Sequence, residues 1–149
     1  MRCVEIGIDE VCADLAQLLG LWTQVTGGGR YDIGLLGFSP LMQIISHRAT
    51  IVHVTESDDP LEWIIQAFTS DFNSLANHSF VGQRFGDIPD DGYTGLIAPS
   101  LLATRVRGIP LAHFVDGMLD DQSVVYEKLT LPLYQDGVVE KLVTVSRET

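Results

Sequence analysis

Hydrophobic positions near the start of the chain follow the period of an α-helix. Over residues 9–24 the apolar side chains fall at helical spacings and form one stripe, made of Val11, Leu15, Leu18, Leu19 and Trp22. Asp9 is predicted to cap this helix, and the glycines at 27–29 are predicted to end it as a flexible turn. A second, short helix is predicted to begin at Ser39-Pro40.

Later segments carry strand patterns. The β-branched run at 50–54 predicts a strand, and residues 62–69 predict its hairpin partner, with a helix as the alternative for that second segment. Short helices and loops are predicted to alternate from 73 to 107, with the strongest helix at 99–106. The last forty residues predict three consecutive strands, at 111–119, 124–134 and 138–146.

The apolar pattern also predicts a register for the final hairpin. A two-residue loop would place the apolar row of one strand beside polar residues of the next, so a three-residue loop at 135–137 is favoured. Leu129 then lies opposite Val143 on a buried face, and Thr130 lies on a solvent-exposed face. Gly137 is predicted to occupy the left-handed position of a bulge.

This order of elements resembles that of the PAS domain, particularly the bacterial group in which the sensor is nearly the whole chain. The bend at 131–137, Leu-Pro-Leu-Tyr-Gln-Asp-Gly, is similar to the last hairpin of that family. The resemblance covers residues 50–147, and its other motifs are the helix of Trp22 with its glycine break, the strand at 51–54 and the segment of Gly82 and Gly86.

The resemblance implies an α/β (α+β) fold with a five-stranded antiparallel sheet in the order 2-1-5-4-3 and helices on one face. Residues 1–30 would form an N-terminal amphipathic helix and glycine break, and residues 31–149 the PAS-like domain. The implied function is sensing or regulation in signal transduction, through a small ligand or a protein contact. The candidate pocket residues are Phe68, Phe80, Tyr93, His113, Phe114, Glu127 and Leu129.

Composition narrows the possible partners. The chain has 149 residues, with 20 acidic residues against 9 lysines and arginines and a net charge of -11, which disfavours nucleic acid and anionic membranes as partners. No apolar run approaches the roughly 18 residues of a membrane span. Cys3 and Cys12 are the only cysteines and are expected to be free thiols in a cytoplasmic protein.

Cofactor and catalytic chemistry find little support in the sequence. A PAS domain that binds flavin covalently has a cysteine in its central helices, and one that binds haem usually has a histidine before the last three strands; this chain has neither there. We therefore expect no haem, no flavin and no metal, with an unidentified small ligand as the candidate. The histidines, the serines at turns or caps and the paired aspartates have structural explanations, so no catalytic residue is predicted.

Glu127, within an apolar row, is predicted to pair with Arg147.

Assembly and function remain open between alternatives. Leu15, Leu18 and Trp22 are candidates for a homodimer interface, and the competing interpretation packs the same stripe on the domain's own sheet. Three functions are compatible with the sequence: a sensor with a small ligand, an interaction module with a filled core that works through dimerisation or through a partner such as a signalling protein in trans, and a small enzyme. The third is the least supported, because the sequence contains no catalytic constellation.

Overall fold

A computed structural model describes residues 1–26, 49–68 and 80–148. In these ranges the elements in chain order are β1 (Arg2–Ile6), α1 (Ala13–Thr26), β2 (Ala49–His53), β3 (Ile64–Phe68), α2 (Asp91–Arg107), β4 (Leu111–Leu119), β5 (Gln122–Gln135) and β6 (Val138–Glu148). Short 3-10 turns at Pro60–Glu62 and Phe85–Asp87 precede β3 and α2. The predicted glycine break, the helix at Ser39, His47 and His78 lie outside the described residues.

The described strands form one antiparallel sheet of six strands, in the order β1-β4-β5-β6-β2-β3. The sheet therefore has one strand more than the five expected, and its order differs from the stated one by that strand. The difference is β1, which pairs with β4 at one edge; the other five strands follow one another as β4-β5-β6-β2-β3. A five-residue segment with mostly exposed side chains carries too short a pattern to be recognised as a strand from the sequence.

The helices lie on both faces of the sheet, so the expectation of helices on one face is also wrong. We call the two surfaces the α1 face and the α2 face. Leu129, Leu131 and Val143 pack under α1, whereas Val115 and Tyr126 pack with residues of α2. The central strand β5 is therefore buried on both sides. Its supposedly solvent-exposed side is covered: Tyr126, Lys128 and Thr130 are 2%, 1% and 0% exposed.

Helix α1 begins later than predicted. It starts at Ala13, so Asp9 does not cap it; instead the carboxylate of Glu127 accepts a hydrogen bond of 2.7 Å from the backbone N–H of Cys12. Leu15, Leu18 and Trp22 are buried against the sheet at 0%, 0% and 4% exposure. This is the competing packing named above, and it removes the exposed apolar stripe on which the dimer interface was predicted.

The final hairpin differs from the predicted register. Its turn has two residues, Asp136 (φ 53°) and Gly137 (φ 80°), both in the left-handed conformation of a tight hairpin turn. A bulge follows at Glu140, because Tyr134 pairs with Val139 but Leu133 pairs with Lys141. The bulge puts Val143 and Val145 on the face of Leu129, with Leu129 opposite Val145 rather than Val143, while Val139 and Leu142 pack on the α2 face. The predicted face was right and the predicted register was wrong.

Helix α2 is longer than predicted and is fixed to the sheet at both ends. It begins at Asp91, runs through Pro99 and ends at Gly108, whose φ is 67°. At its start, Asp90 accepts a 2.8 Å hydrogen bond from the N–H of Asp120 in the β4–β5 turn. At its end, the hydroxyl of Tyr134 donates to the carbonyl of Gly108 over 2.7 Å. These two contacts hold α2 across one face of the sheet.

Candidate functional site

A band of polar side chains crosses the middle of the α2 face. The strand register puts Glu5, His113, Lys128 and Ser146 in one row across β1, β4, β5 and β6. Thr130 and Thr144 are paired in the next row along β5 and β6. We call the band the polar belt; its members are His113, Lys128, Thr130 and Thr144 of the sheet and Ser100 and Thr104 of α2.

Lys128 is the most unusual member of the polar belt. Its side chain is 1% exposed, and its Nζ donates a hydrogen bond to Oγ of Ser100. Burial lowers the pKa of Lys128 to about 8. No ion pair joins Lys128 to a carboxylate among the described residues. A buried ammonium without a counter-charge is unfavourable, so this position favours either a neutral amine or a bound negative group.

His113 lies directly beside Lys128, since the two residues are register partners on β4 and β5. Paired Cβ atoms in such a sheet are about 5 Å apart. His113 is 5% exposed, and its Nδ1 is buried without a hydrogen-bond partner among the described residues. Burial, and after it the charge of Lys128, lower the pKa of His113 to about 4, so the imidazole is neutral at pH 7.

Hydroxyl groups complete the polar belt. Thr104 and Thr130 are both 0% exposed. The Thr104 hydroxyl donates to the carbonyl of Ser100 over 3.0 Å, and the hydroxyls of Thr130 and Thr144 are 3.3 Å apart. The belt thus places an amine, an imidazole and several hydroxyls beneath a fixed helix. Such a set can bind a small polar molecule by charge and hydrogen bonding.

The Lys128–Ser100 pair has a geometry suited to binding rather than to nucleophilic catalysis. A serine nucleophile needs its hydroxyl proton directed toward the base. Here the Ser100 hydroxyl donates to the carbonyl of Ile97 over 2.6 Å, while Lys128 acts as the donor to Ser100. Ser100 lies within α2 and not at a turn or cap, so its structural assignment from the sequence is corrected.

Two tyrosines border the polar belt toward the start of α2. The hydroxyls of Tyr93 and Tyr126 are 2.5 Å apart, and both side chains belong to the apolar cluster of the α2 face, together with Phe80. Burial raises the pKa of Tyr93 to about 12 and raises the pKa of Tyr126 well above its usual value. Both hydroxyls therefore stay protonated at neutral pH and can only exchange hydrogen bonds.

The structure divides the predicted pocket between two faces. Phe80, Tyr93 and His113 lie on the α2 face. Leu129 belongs to the α1-face cluster, and Phe114 and Glu127 are register partners on that same side. The side chain of Phe68 lies outside the described part of the chain. These residues therefore do not form one pocket.

Two of the misplaced residues have other contacts. The guanidinium of Arg2 lies 5.2 Å from the centre of the Phe114 ring. The predicted ion pair between Glu127 and Arg147 is also wrong: Glu127 accepts from Cys12, and Arg147 Nε instead contacts Asp14 Oδ2 at 3.2 Å. Glu127 thus satisfies a free N–H group at the start of α1, where a carboxylate is favourable.

Sequence reasoning missed Lys128, Ser100, Thr104 and Thr130. The alternation along β5 correctly put Lys128 and Thr130 on the same side as Tyr126, but polar residues on one side were interpreted as solvent-exposed. A signal was available in the apolar residues on both sides of this 14-residue strand, which are typical of a strand covered on both faces.

The described residues offer no conventional metal site, since no group of three or more His, Cys, Asp or Glu side chains is placed to hold an ion. Neither cysteine is part of α2: Cys3 is on β1 and Cys12 precedes α1. The helical thiol of a covalent flavin site is therefore missing from α2. None of the helices in the described ranges is long and apolar enough to cross a membrane.

Comparison with known proteins supports the fold. No protein-family model and no curated protein matches the chain. Nine chains of solved structures are similar to it. One is described as an RNA-binding light-oxygen-voltage receptor; it is 12% identical with a TM-score of 0.52, and the match covers 98% of this chain and 37% of that one. Light-oxygen-voltage receptors are PAS-family proteins. The likeness is one of fold, and it is consistent with the PAS-like arrangement described above.

Proposed function

We propose that this chain is a PAS-like sensory domain that acts in signal transduction by binding a small polar ligand at the polar belt. The observation that carries the proposal is Lys128, which is 1% exposed, hydrogen-bonds a serine and lacks a carboxylate partner among the described residues. A core that served only for packing would gain nothing from a buried amine at its centre. The fold likeness to a light-oxygen-voltage receptor supports the sensory class.

Helix α2 is the element through which binding would be communicated. Ser100 and Thr104 put two turns of α2 in contact with the polar belt, and Asp90 and Gly108 attach its ends to the sheet. A ligand that changes the contacts of Ser100 biases the position of α2 relative to these attachments. The output would pass to a second copy of the chain or to a signalling protein in trans.

The proposal includes the absence of haem and flavin and does not assign a catalytic step. A small enzyme is the alternative, and the direction of the Ser100 hydroxyl toward Ile97 argues against it. An interaction module without a ligand is the other alternative. It would leave the buried amine of Lys128 without a binding role.

Native mass spectrometry and an absorption spectrum of freshly purified protein test the proposal first. We expect a colourless protein, either with a co-purified small molecule or able to bind one from a metabolite library. Hydrogen exchange then locates the site: a ligand should slow exchange in α2 while α1, on the opposite face, serves as the internal control. A library without a single binder, or protection confined to α1, would contradict the proposal.

A further inference from the structure

We infer that the ligand of the polar belt is a small carboxylate, held with one oxygen on Nζ of Lys128 and the other on Nδ1 of His113. The inference rests on the proposed function and names its ligand class. Both groups face α2 from neighbouring strands, as register partners. One has a hydroxyl as its hydrogen-bond acceptor, and the other has no partner among the described residues. With the proton of the neutral imidazole on Nδ1, the two groups are donors side by side, and they match the two oxygens of a carboxylate.

The charges around the two donors favour an anion. Three titratable or charged groups lie near the row of His113 and Lys128. Two are on β1, Cys3 and Glu5, and the third is Arg107 of α2. Glu5 is neutralised by Arg107, because its Oε1 is 2.7 Å from Nη1 of that residue. Lys128 is therefore the charge in this set without an opposite charge, and a bound anion would supply one.

A carboxylate fits the donor set better than a phosphate. Phosphate groups carry three or more acceptor oxygens and are typically bound by arginine or by a run of backbone N–H groups. Arg107 is engaged with Glu5, and the remaining belt groups are hydroxyls, of which Ser100 and Thr104 already donate to backbone carbonyls. Acetate and inorganic phosphate are therefore discriminating probes.

Binding of a carboxylate should weaken as the pH rises. The anion needs protonated Lys128, whose pKa is about 8, and so the competent fraction of free protein falls from about 0.9 at pH 7 to about 0.1 at pH 9. The apparent affinity should fall roughly tenfold over this interval. His113, whose pKa is about 4, stays neutral between these two pH values and does not produce this change.

The experiment titrates the full chain with acetate and with inorganic phosphate by NMR, at pH 7 and pH 9. The chain has two lysines, so Lys141→Met on β6 is the matched control for Lys128→Met. We expect saturable acetate binding in wild type and in Lys141→Met, at least tenfold weaker binding in Lys128→Met, weaker binding in His113→Phe, and little response to phosphate. If Lys128→Met does not fold, the pH 7 to pH 9 ratio in wild type and the effect of His113→Phe decide the question.

The outcomes separate the inference from the proposed function. Acetate binding that is equal in Lys128→Met and wild type, or independent of pH, would overturn the inference. A preference for phosphate would overturn it too. If no carboxylate binds while a neutral library compound protects α2 from exchange, the inference fails and the sensory function stands. If no compound binds at all, both fail.

Discussion

A buried lysine makes the free energy of unfolding depend on pH, and Lys128 is such a residue. Its pKa falls from an ordinary 10.5 to about 8 on folding, because burial disfavours the charged amine. The unfolded chain then binds the proton more tightly than the folded one. The unfolding free energy should consequently rise with pH between about 8 and 10.5, and below pH 8 the penalty is fully present.

Replacing Lys128 by methionine should remove this penalty. At pH 7 we expect Lys128→Met to be more stable than wild type, with a difference on the order of 3 kcal/mol from the pKa change. The difference should shrink as the pH rises from 8 to 10.5. Urea unfolding followed by tryptophan fluorescence at several pH values measures it, with Lys141→Met as the control. A difference that stays constant across this pH range would show that Lys128 does not titrate in the folded protein.

The hairpin between β5 and β6 shows how local chemistry decides the shape of an element. Asp136 and Gly137 have positive φ angles of 53° and 80°, which suit a two-residue turn. Such a turn alone would set the apolar row of β5 beside polar residues of β6, and the bulge at Glu140 corrects this. The alternation of apolar and polar residues predicted the buried face of Leu129. It could not predict the pairing register, because a bulge does not show in the hydrophobic pattern.

Two glycines should respond oppositely to alanine. Gly137 has a φ of 80°, so Gly137→Ala should destabilise the protein by about 1 kcal/mol because a Cβ is unfavourable there. Gly95 lies inside α2 with open space where a Cβ would be, so Gly95→Ala should stabilise it by about 0.5–1 kcal/mol. Thermal unfolding of both variants measures the two changes in stability. Equal effects would argue against the two-residue turn.

Both faces of β5 should be sensitive to truncation. Leu129→Ala is expected to lower the free energy of unfolding by about 2–5 kcal/mol, since Leu129 is fully buried under α1. The sequence predicted a solvent-exposed Thr130, a position at which alanine would be tolerated. It is 0% exposed beneath α2 and its hydroxyl contacts that of Thr144, so we now expect a loss of about 1–3 kcal/mol. Denaturant unfolding compares the two; a neutral Thr130→Ala would place that side of β5 in solvent.

At the scale of the whole molecule, the sheet lies between α1 and α2 in the part of the chain that the structure describes, and sequence reasoning did not predict this arrangement. The three C-terminal strands, the β2–β3 hairpin and the amphipathic character of α1 were predicted from periodicity. Which face each helix covers depends on the contacts of whole elements and is not encoded in the period of one segment. The candidate site could be predicted only in part for the same reason. His113 was predicted on a strand at 111–119, and it lies on β4. Lys128 was overlooked, because its burial depends on α2 lying over it.

A mutation in α1 can test whether its apolar side packs on the sheet of the same chain, as in the structure, or forms the predicted homodimer interface. Leu18 is 0% exposed within a single chain, in the cluster that contains Leu131 and Val145. Leu18→Ala should therefore lower the unfolding free energy by about 2–5 kcal/mol through lost burial and a cavity, without changing the sedimentation mass of the folded protein. Gln17→Ala, on the exposed side of the same helix, is the control and should change the free energy by less than about 0.5 kcal/mol. Denaturant unfolding and analytical ultracentrifugation are run on the same samples. A halved mass in Leu18→Ala, with the free energy of unfolding little changed, would instead place Leu18 in an interface between two copies, and α1 would then have to leave the sheet that it covers here.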